Sequence, residues 1–510
     1  MYLMGIDIGT SGTKTIIISE SGELITTGFR EYDVETPKPT WAQQQPDIWV
    51  KAVCETMKAT FDQSGLKPNQ IAAVGISGLY GGSGVPVDRN YEPIYPCLIW
   101  MDRRAKKQTE WVKQNIDENE LFQITGNSVD SYFGFTKMMW IRDNEPEIWK
   151  NTYKFVTPKD YVIYQLTGEP TIDYSSAGNI GGVFDLRRMI WSEQMCHQLG
   201  IDIEKLPEKL IPSSSIAGHL SKKMSVKTGL KSGTPIISGG IDAAVTQFSA
   251  GVLEEGEHVA MAGTSMCWGT VHEGENLNKG LVNFPYVVDE NKKIYTFGGS
   301  STNGAIARWF RDEFAWMEKE LEKRTQISAY QLLEEQIKDL PPGSEGLVAL
   351  PYFMGERSPI WDPDARGMLI GLTLYHKRKH IYKALLESAA YSLRQNMEEA
   401  KKAHIKLSDD CMITGGVAKS KVWVQIFADV TGYNMKLIQN EVEAPLGDAF
   451  LAGLGVGVFK KPETIKDWIT LKDSVKVNRE NHQLYNTFYL DFLELYQNNK
   501  GLMAKMAERK

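Results

Sequence analysis

Five short apolar runs that close on glycine frame this chain: 2–8 before Gly9, 71–78, 235–240, 259–262 before Gly263, and 411–416. Runs of this length without polar alternation predict strands buried on both faces. Those ending at 78, 240 and 416 are followed by helix-like stretches; after Gly416, Val422, Ile426 and Val430 fall four apart. The alternation predicts α/β domains whose sheets are covered on both sides. At 510 residues the chain exceeds the roughly 250 to 300 residues at which one core stops growing, so two or more domains follow. No Pro-rich or low-complexity linker marks the division. We place it near 251–256, giving 1–250, 251–460 and a helical extension, 461–510, whose face of Tyr485, Phe488, Tyr489, Phe492, Leu493 and Tyr496 is expected to pack on the body.

The chain opens as strand, glycine turn, strand, turn, strand, with the first corner at Gly9-Thr10-Ser11-Gly12. The fourth run ends in the same letters, Gly263-Thr264-Ser265. That recurrence is either an internal duplication or chance. Lys and Arg number 57 against 64 Asp and Glu, a net charge of -7 with no long basic run, which argues against a nucleic-acid partner. Cys54, Cys97, Cys196, Cys267 and Cys411 are odd in number and scattered, as suits a reducing compartment. No apolar stretch approaches the roughly 20 residues that span a bilayer, so no membrane contact and a cytoplasmic location are expected.

Phosphate groups favour loops whose backbone N–H groups approach without a Cβ in the way. The segment from Gly9 to Lys14 supplies glycines, the hydroxyls of Thr10 and Ser11, Gly12 and a cation, while Asp7 on the preceding strand can hold Mg²⁺ directly or through water. A glycine-hydroxyl hairpin turn with no ligand reads equally well from these letters. The Walker spacing and the dinucleotide Gly-x-Gly-x-x-Gly fingerprint are both absent. A triphosphate clamped between two domains needs donors from both, and Gly263-Thr264 offers the second set. Gly415-Gly416 follows a strand and opens a helix, which suits an adenosine or phosphate edge as well as a plain turn. Asp242, beside Gly239-Gly240, is either a proton acceptor for an attacking alcohol or a helix N-cap. The segment 355–362 places Glu356, Arg357 and Trp361 in a turn-rich loop typical of a domain interface, and its pattern alone names no reaction.

Together these pieces resemble the FGGY family of carbohydrate kinases from about residue 3 to about residue 460. Gly367-Met368-Leu369-Ile370-Gly371-Leu372, followed by His380-Ile381 and Ala384-Leu385-Leu386-Glu387, fits the family's C-terminal signature. The segment 132–144 fits the N-terminal one except at Gly134, where Ser, Thr or Pro is usual. The resemblance implies two actin-like (ribonuclease H-like) domains with ATP and Mg²⁺ in the cleft between them and a small sugar or polyol held mainly by the first. It implies that Asp242 is the catalytic base, a contact of both substrate and metal, and that Asp7 is the second metal residue. Thr10, Ser11, Gly12 and Lys14 then hold phosphates, and Gly263, Thr264, Gly304, Gly415 and Gly416 contact the nucleotide. Arg308 and Ser420 stand where glycerol kinases carry amide side chains near it.

At the substrate positions the chain has Leu79-Tyr80-Gly81 where glycerol kinases have Gln-Arg-Glu and xylulokinases Gln-Met-His. Trp100-x-Asp102-x-Arg104 resembles the sugar-side motif of xylulokinases, and also ribulokinases. Tyr80, Gly81, Trp100, Asp102 and Tyr132 are therefore the expected sugar contacts, with an aromatic face and room at Gly81-Gly82. D-xylulose is the first candidate, with ribulose, pentitols, erythritol and gluconate behind it. A homodimer is expected by analogy alone. A non-catalytic sugar sensor or a partner-moving ATPase is the competing class; Asp7, Lys14, Asp242 and Thr264 standing together argue against a dead pocket.

Overall fold

A computed structural model describes residues 1–274, 276–439 and 443–509. The first sheet contains Tyr2–Ile8 (β1), Gly12–Ser19 (β2), Leu24–Glu31 (β3), Ile71–Gly78 (β4), Ile216–His219 (β5) and Pro235–Ile237 (β6), in the order β5-β6-β4-β1-β2-β3. The second contains His258–Ala262 (β7), Met266–Glu273 (β8), Val282–Pro285 (β9), Lys293–Ser300 (β10), Asp410–Thr414 (β11), Asn434–Ile438 (β12) and Leu471–Val475 (β13), in the order β9-β10-β8-β7-β11-β12-β13. In each, a hairpin turning on Gly-Thr-Ser lies beside parallel strands: β1 pairs antiparallel with β2 and parallel with β4, and β7 pairs antiparallel with β8 and parallel with β11. The recurrence of three letters thus marks one architectural unit used twice, an actin-like sheet in each half.

Helices cover both sheets. Pro46–Ser64 (α1) begins with proline, whose missing N–H costs nothing there, and stops at Gly65 in the left-handed region (φ 67°). Further helices that position the site are Gly134–Asn144 (α2), Asp242–Ser249 (α3), Gly304–Phe314 (α4), Arg378–Lys402 (α5), Lys421–Thr431 (α6), Ala444–Gly455 (α7) and Arg479–Glu508 (α8). Along α8, Tyr485, Tyr489, Phe492 and Tyr496 bury against the second core, as the sequence predicts. No helix among the described residues is long and apolar enough to cross a membrane, and all five cysteines are free thiols.

One of the connections between the halves is a crossover of the chain. After β12 the chain leaves the second sheet, and α7 packs on the first. Gly5 and Gly75 are register partners on β1 and β4, and a Cβ on either would stand 1.8 Å from Pro445 O or 2.0 Å from Asp448 O. Two adjacent strand glycines therefore admit a helix backbone at van der Waals range. Leu3, Ala449, Phe450 and Ala452 belong to one buried cluster.

Candidate active site between the two sheets

Asp7 sits at the end of β1, and its register partners are Lys14 on β2 and Ser77 on β4. Gly78 N donates to Gly240 O at 3.1 Å, tying the end of β4 to the segment that leads into α3. Asp242 opens that helix but does not cap it. Ile241 occupies the N-cap position without a side-chain bond, and Asp242 Oδ1 accepts from the adjacent Ala243 N at 2.6 Å. Asp242 is thus kept at the carboxyl ends of the parallel strands, where ligands of open α/β sheets bind. Both carboxyls are half-buried. Burial, then the neighbouring Asp242 carboxyl, pushes Asp7 up to about 8; burial pushes Asp242 up to about 6. Two carboxylates this destabilised as anions suit a shared cation.

The first glycine loop is shaped for an anion by what its carbonyls do. Gly9 O accepts from Tyr32 Oη at 2.7 Å, Thr10 O from Gln44 Nε2 at 2.9 Å and Ser11 O from Tyr32 N at 3.1 Å. Carbonyl oxygens that would repel a phosphate are engaged elsewhere. The second loop repeats the device: Gly263 O accepts from Gly304 N at 2.9 Å, and Thr264 O from Asn303 N at 3.0 Å and Ala305 N at 3.1 Å. Lys14 Nζ pairs with the Glu443 carboxylate just ahead of α7, a contact the sequence does not announce.

Three segments of the second half meet at glycine contacts. A Cβ on Gly304 would lie 2.5 Å from Gly263 O, and one on Gly415, at φ 87°, would lie 2.5 Å from Ala262 O. Beside them opens a cavity of about 600 Å³ lined by Gly263, Thr264, Gly304, Arg308, Gly416 and Ser420, all expected nucleotide contacts. Ser420 caps α6, its Oγ accepting from Trp423 N at 3.0 Å. Tyr330, Glu334, Tyr382 and Trp423 also line the cavity; the first three carried no signal in the sequence beyond ordinary helix patterning, whereas Trp423, with Gln425, matches a family landmark.

The expected sugar contacts divide. Trp100 Nε1 donates to Thr10 Oγ1 at 2.9 Å, joining its segment to the first glycine loop. Tyr132 lies near Asp242 and tilts against Trp361 at 5.6 Å between ring centroids. Arg357 stacks over Trp100 at 5.3 Å and donates to the carbonyls of Met266 and Ser300. The loop around Arg357 and Trp361 therefore reaches from the second half onto Trp100 and Tyr132 of the first. Asp102 stands behind this surface. It is 0% exposed, and its oxygens accept from Ala42 N at 2.7 Å, Arg104 Nε at 2.8 Å and Arg104 N at 3.0 Å. Tyr80 is also buried, its hydroxyl accepting from Gly134 N. The expected room at Gly81-Gly82 is absent: a Cβ on Gly81 would meet Pro158 Cδ at 2.1 Å and one on Gly82 would meet Leu98 O at 2.1 Å. These glycines serve close packing.

Comparison with known proteins agrees with this architecture. The N-terminal domain model of the FGGY family of carbohydrate kinases matches residues 2–249, and the C-terminal domain model matches 258–456. A xylulose kinase of Bacillus subtilis (strain 168) is 30% identical over 504 residues, covering 98% of each chain. A gluconokinase of the same organism is 30% identical over 470 residues, covering 92% of this chain and 90% of the relative. The crystal structure of a xylulose kinase from Lactobacillus acidophilus superposes with a TM-score of 0.91 over 99% of each chain at 22% identity, which speaks for the fold. The chain belongs to the FGGY family of carbohydrate kinases, phosphotransferases that act on an alcohol group.

Proposed function

We propose that this kinase transfers the γ-phosphoryl group of ATP to a hydroxyl of a ketopentose, D-xylulose first, with Asp242 as the base. The observation that carries the reading is the bond from Trp100 to Thr10, which sets the sugar-side aromatic surface directly beside the first glycine loop. The near full-length likeness to a xylulose kinase supports the substrate class. In this reading 1–250 supplies the sugar surface, first phosphate loop and base, 251–460 the nucleotide cavity, and 461–510 a helical buttress.

Asp242 accepts the hydroxyl proton as the new O–P bond forms and the bond from the γ-phosphorus to the ADP oxygen breaks. Held up to about 6, its carboxyl is ionised at neutral pH yet far more basic than an exposed aspartate. Thr10, Ser11 and Gly12 bind the terminal phosphates with Lys14, and Gly263 and Thr264 bind them from the other side. Arg308, Gly416 and Ser420 line the nucleotide cavity. Asp7 and Asp242 would hold the divalent cation. A pair of carboxylates suits Mg²⁺, which takes one or two together with phosphate oxygens and water. Bound there, Mg²⁺ neutralises charge on the phosphates. Because the transition state is loose, positioning and charge neutralisation contribute more than the base.

Gluconate is the second reading, favoured by Arg357. Its guanidinium lies over Trp100 and close to Tyr132, where a sugar-acid carboxylate would find a cation. Side-by-side kcat/KM values on D-xylulose and D-gluconate separate the two. A ratio above ten for D-xylulose supports the first reading, and a ratio below one-tenth replaces it with the second.

A further inference from the structure

Helix α7 carries one acid in an otherwise apolar run, Asp448, and the fold drives that acid into the first half. Its side chain is 0% exposed. Oδ2 accepts from Ser77 Oγ at 2.6 Å, while Oδ1 is buried with no hydrogen-bond partner. A buried carboxyl oxygen left unpaired costs stability, so its retention calls for another reason. Ser77 Oγ is also 3.4 Å from Asp7 Oδ1, at the outer reach of a hydrogen bond, and stands between the two acids. On its other side, Asp448 Oδ1 lies 3.1 Å from where a Cβ on Gly239 would stand, in the turn that delivers Asp242.

We propose that Asp448 is a positioning residue for the cation site, orienting Asp7 through Ser77 and packing against the Gly239 turn that presents Asp242. Asp448 touches neither phosphate nor sugar in this account. The inference rests on the reading of Asp7 as a cation ligand.

The test is Mn²⁺ binding to enzyme saturated with the non-hydrolysable nucleotide AMPPNP, with free Mn²⁺ read by electron paramagnetic resonance. The proteins are wild type, Asp448→Asn, Ser77→Ala, the double variant and Asp7→Asn. Asp448→Asn and Ser77→Ala should each raise the apparent Mn²⁺ dissociation constant at least fivefold, and the double variant no further, because the two act in series. The KM for sugar should stay within twofold. Single variants that bind Mn²⁺ within twofold of wild type, or losses that multiply in the double variant, overturn the proposal. If Asp448→Asn fails to fold, Ser77→Ala decides alone by the same fivefold criterion. Asp7→Asn separates the two levels of the argument. Wild-type Mn²⁺ affinity in that variant overturns the cation reading and this proposal together, whereas loss there with no loss in the other variants overturns this proposal only.

Discussion

Replacing Gly304 with alanine tests whether the two glycine segments of the second half are built to touch. Gly304 lies outside the left-handed region, so the substitution adds a methyl group without backbone strain. That methyl would stand 2.5 Å from Gly263 O, against an ordinary contact of 3.4 Å or more. The deficit of about 0.9 Å must be met by backbone, because no flexible side-chain end is involved, and overpacking of this kind costs on the order of 1 to 3 kcal/mol. Gly304 N donates to that same oxygen at 2.9 Å, so relief of the clash also moves the second glycine loop. With the second glycine loop positioning phosphate as proposed, a displacement near 1 Å there lowers turnover roughly 100-fold. Gly416→Ala is the matched control for folding, since its Cβ meets nothing within 4 Å. Differential scanning fluorimetry, calorimetric ATP titration and steady-state ADP release would be run on both. Gly304→Ala should melt a few degrees lower, bind ATP more weakly and turn over far more slowly, while Gly416→Ala should melt like wild type. A Gly304→Ala enzyme with wild-type melting, ATP affinity and kcat would refute the reasoning.

Asp242→Asn should lower kcat by roughly 100- to 10,000-fold while calorimetry shows ATP affinity near normal; retained turnover would remove Asp242 from the role of base. Since Asp242 must be ionised to accept a proton and its carboxyl is held up to about 6, log kcat/KM should fall with unit slope below pH about 6, and a profile flat to pH 5 contradicts the assignment. Both raised carboxyls bind protons more tightly folded than unfolded, so the stability they contribute is full below the ordinary 3.8 and is lost as pH rises through about 6 for Asp242 and about 8 for Asp7. Mg²⁺ with ATP should therefore raise the melting temperature more at pH 8 than at pH 6, and an equal rise at both would count against a shared carboxylate site. Trp100→Phe removes one neutral hydrogen bond to Thr10, worth about 0.5 to 1.5 kcal/mol, so kcat/KM for sugar should fall roughly 2- to 10-fold, and an unchanged value would dissociate Trp100 from the site.

The central strands of the two sheets were legible because burial on both faces leaves an unmistakable apolar run, and because a glycine turn recurs after the first strand of each, whereas β5 and, in the second sheet, β8, β9, β10, β12 and β13 were not read. Six of the expected nucleotide residues, Gly263, Thr264, Gly304, Arg308, Gly416 and Ser420, line one cavity because the turns after β7, β10 and β11 and the start of α4 converge there, while Gly415 packs against Ala262 O. Side chains whose partners lie far along the chain were not legible. Glu443 meets Lys14, and Asp448 meets Ser77, across more than 350 residues. No local periodicity encodes such a pairing. A signal was nonetheless present in Gly5 and Gly75, two mid-strand glycines that mark where another backbone arrives. The aromatic and glycine residues at 80–82 misled for a related reason, since a glycine provides room only if no neighbour takes it, and here Pro158, Leu98 and Lys137 do.

The most direct test of the account is Mg·ATP turnover measured as coupled ADP release with D-xylulose and in a sugar-free blank. Release that depends on the sugar, with the blank at least 100-fold slower, is the predicted result. Equal release with and without sugar across ketopentoses, pentitols, erythritol and gluconate would contradict it and leave an ATPase in its place.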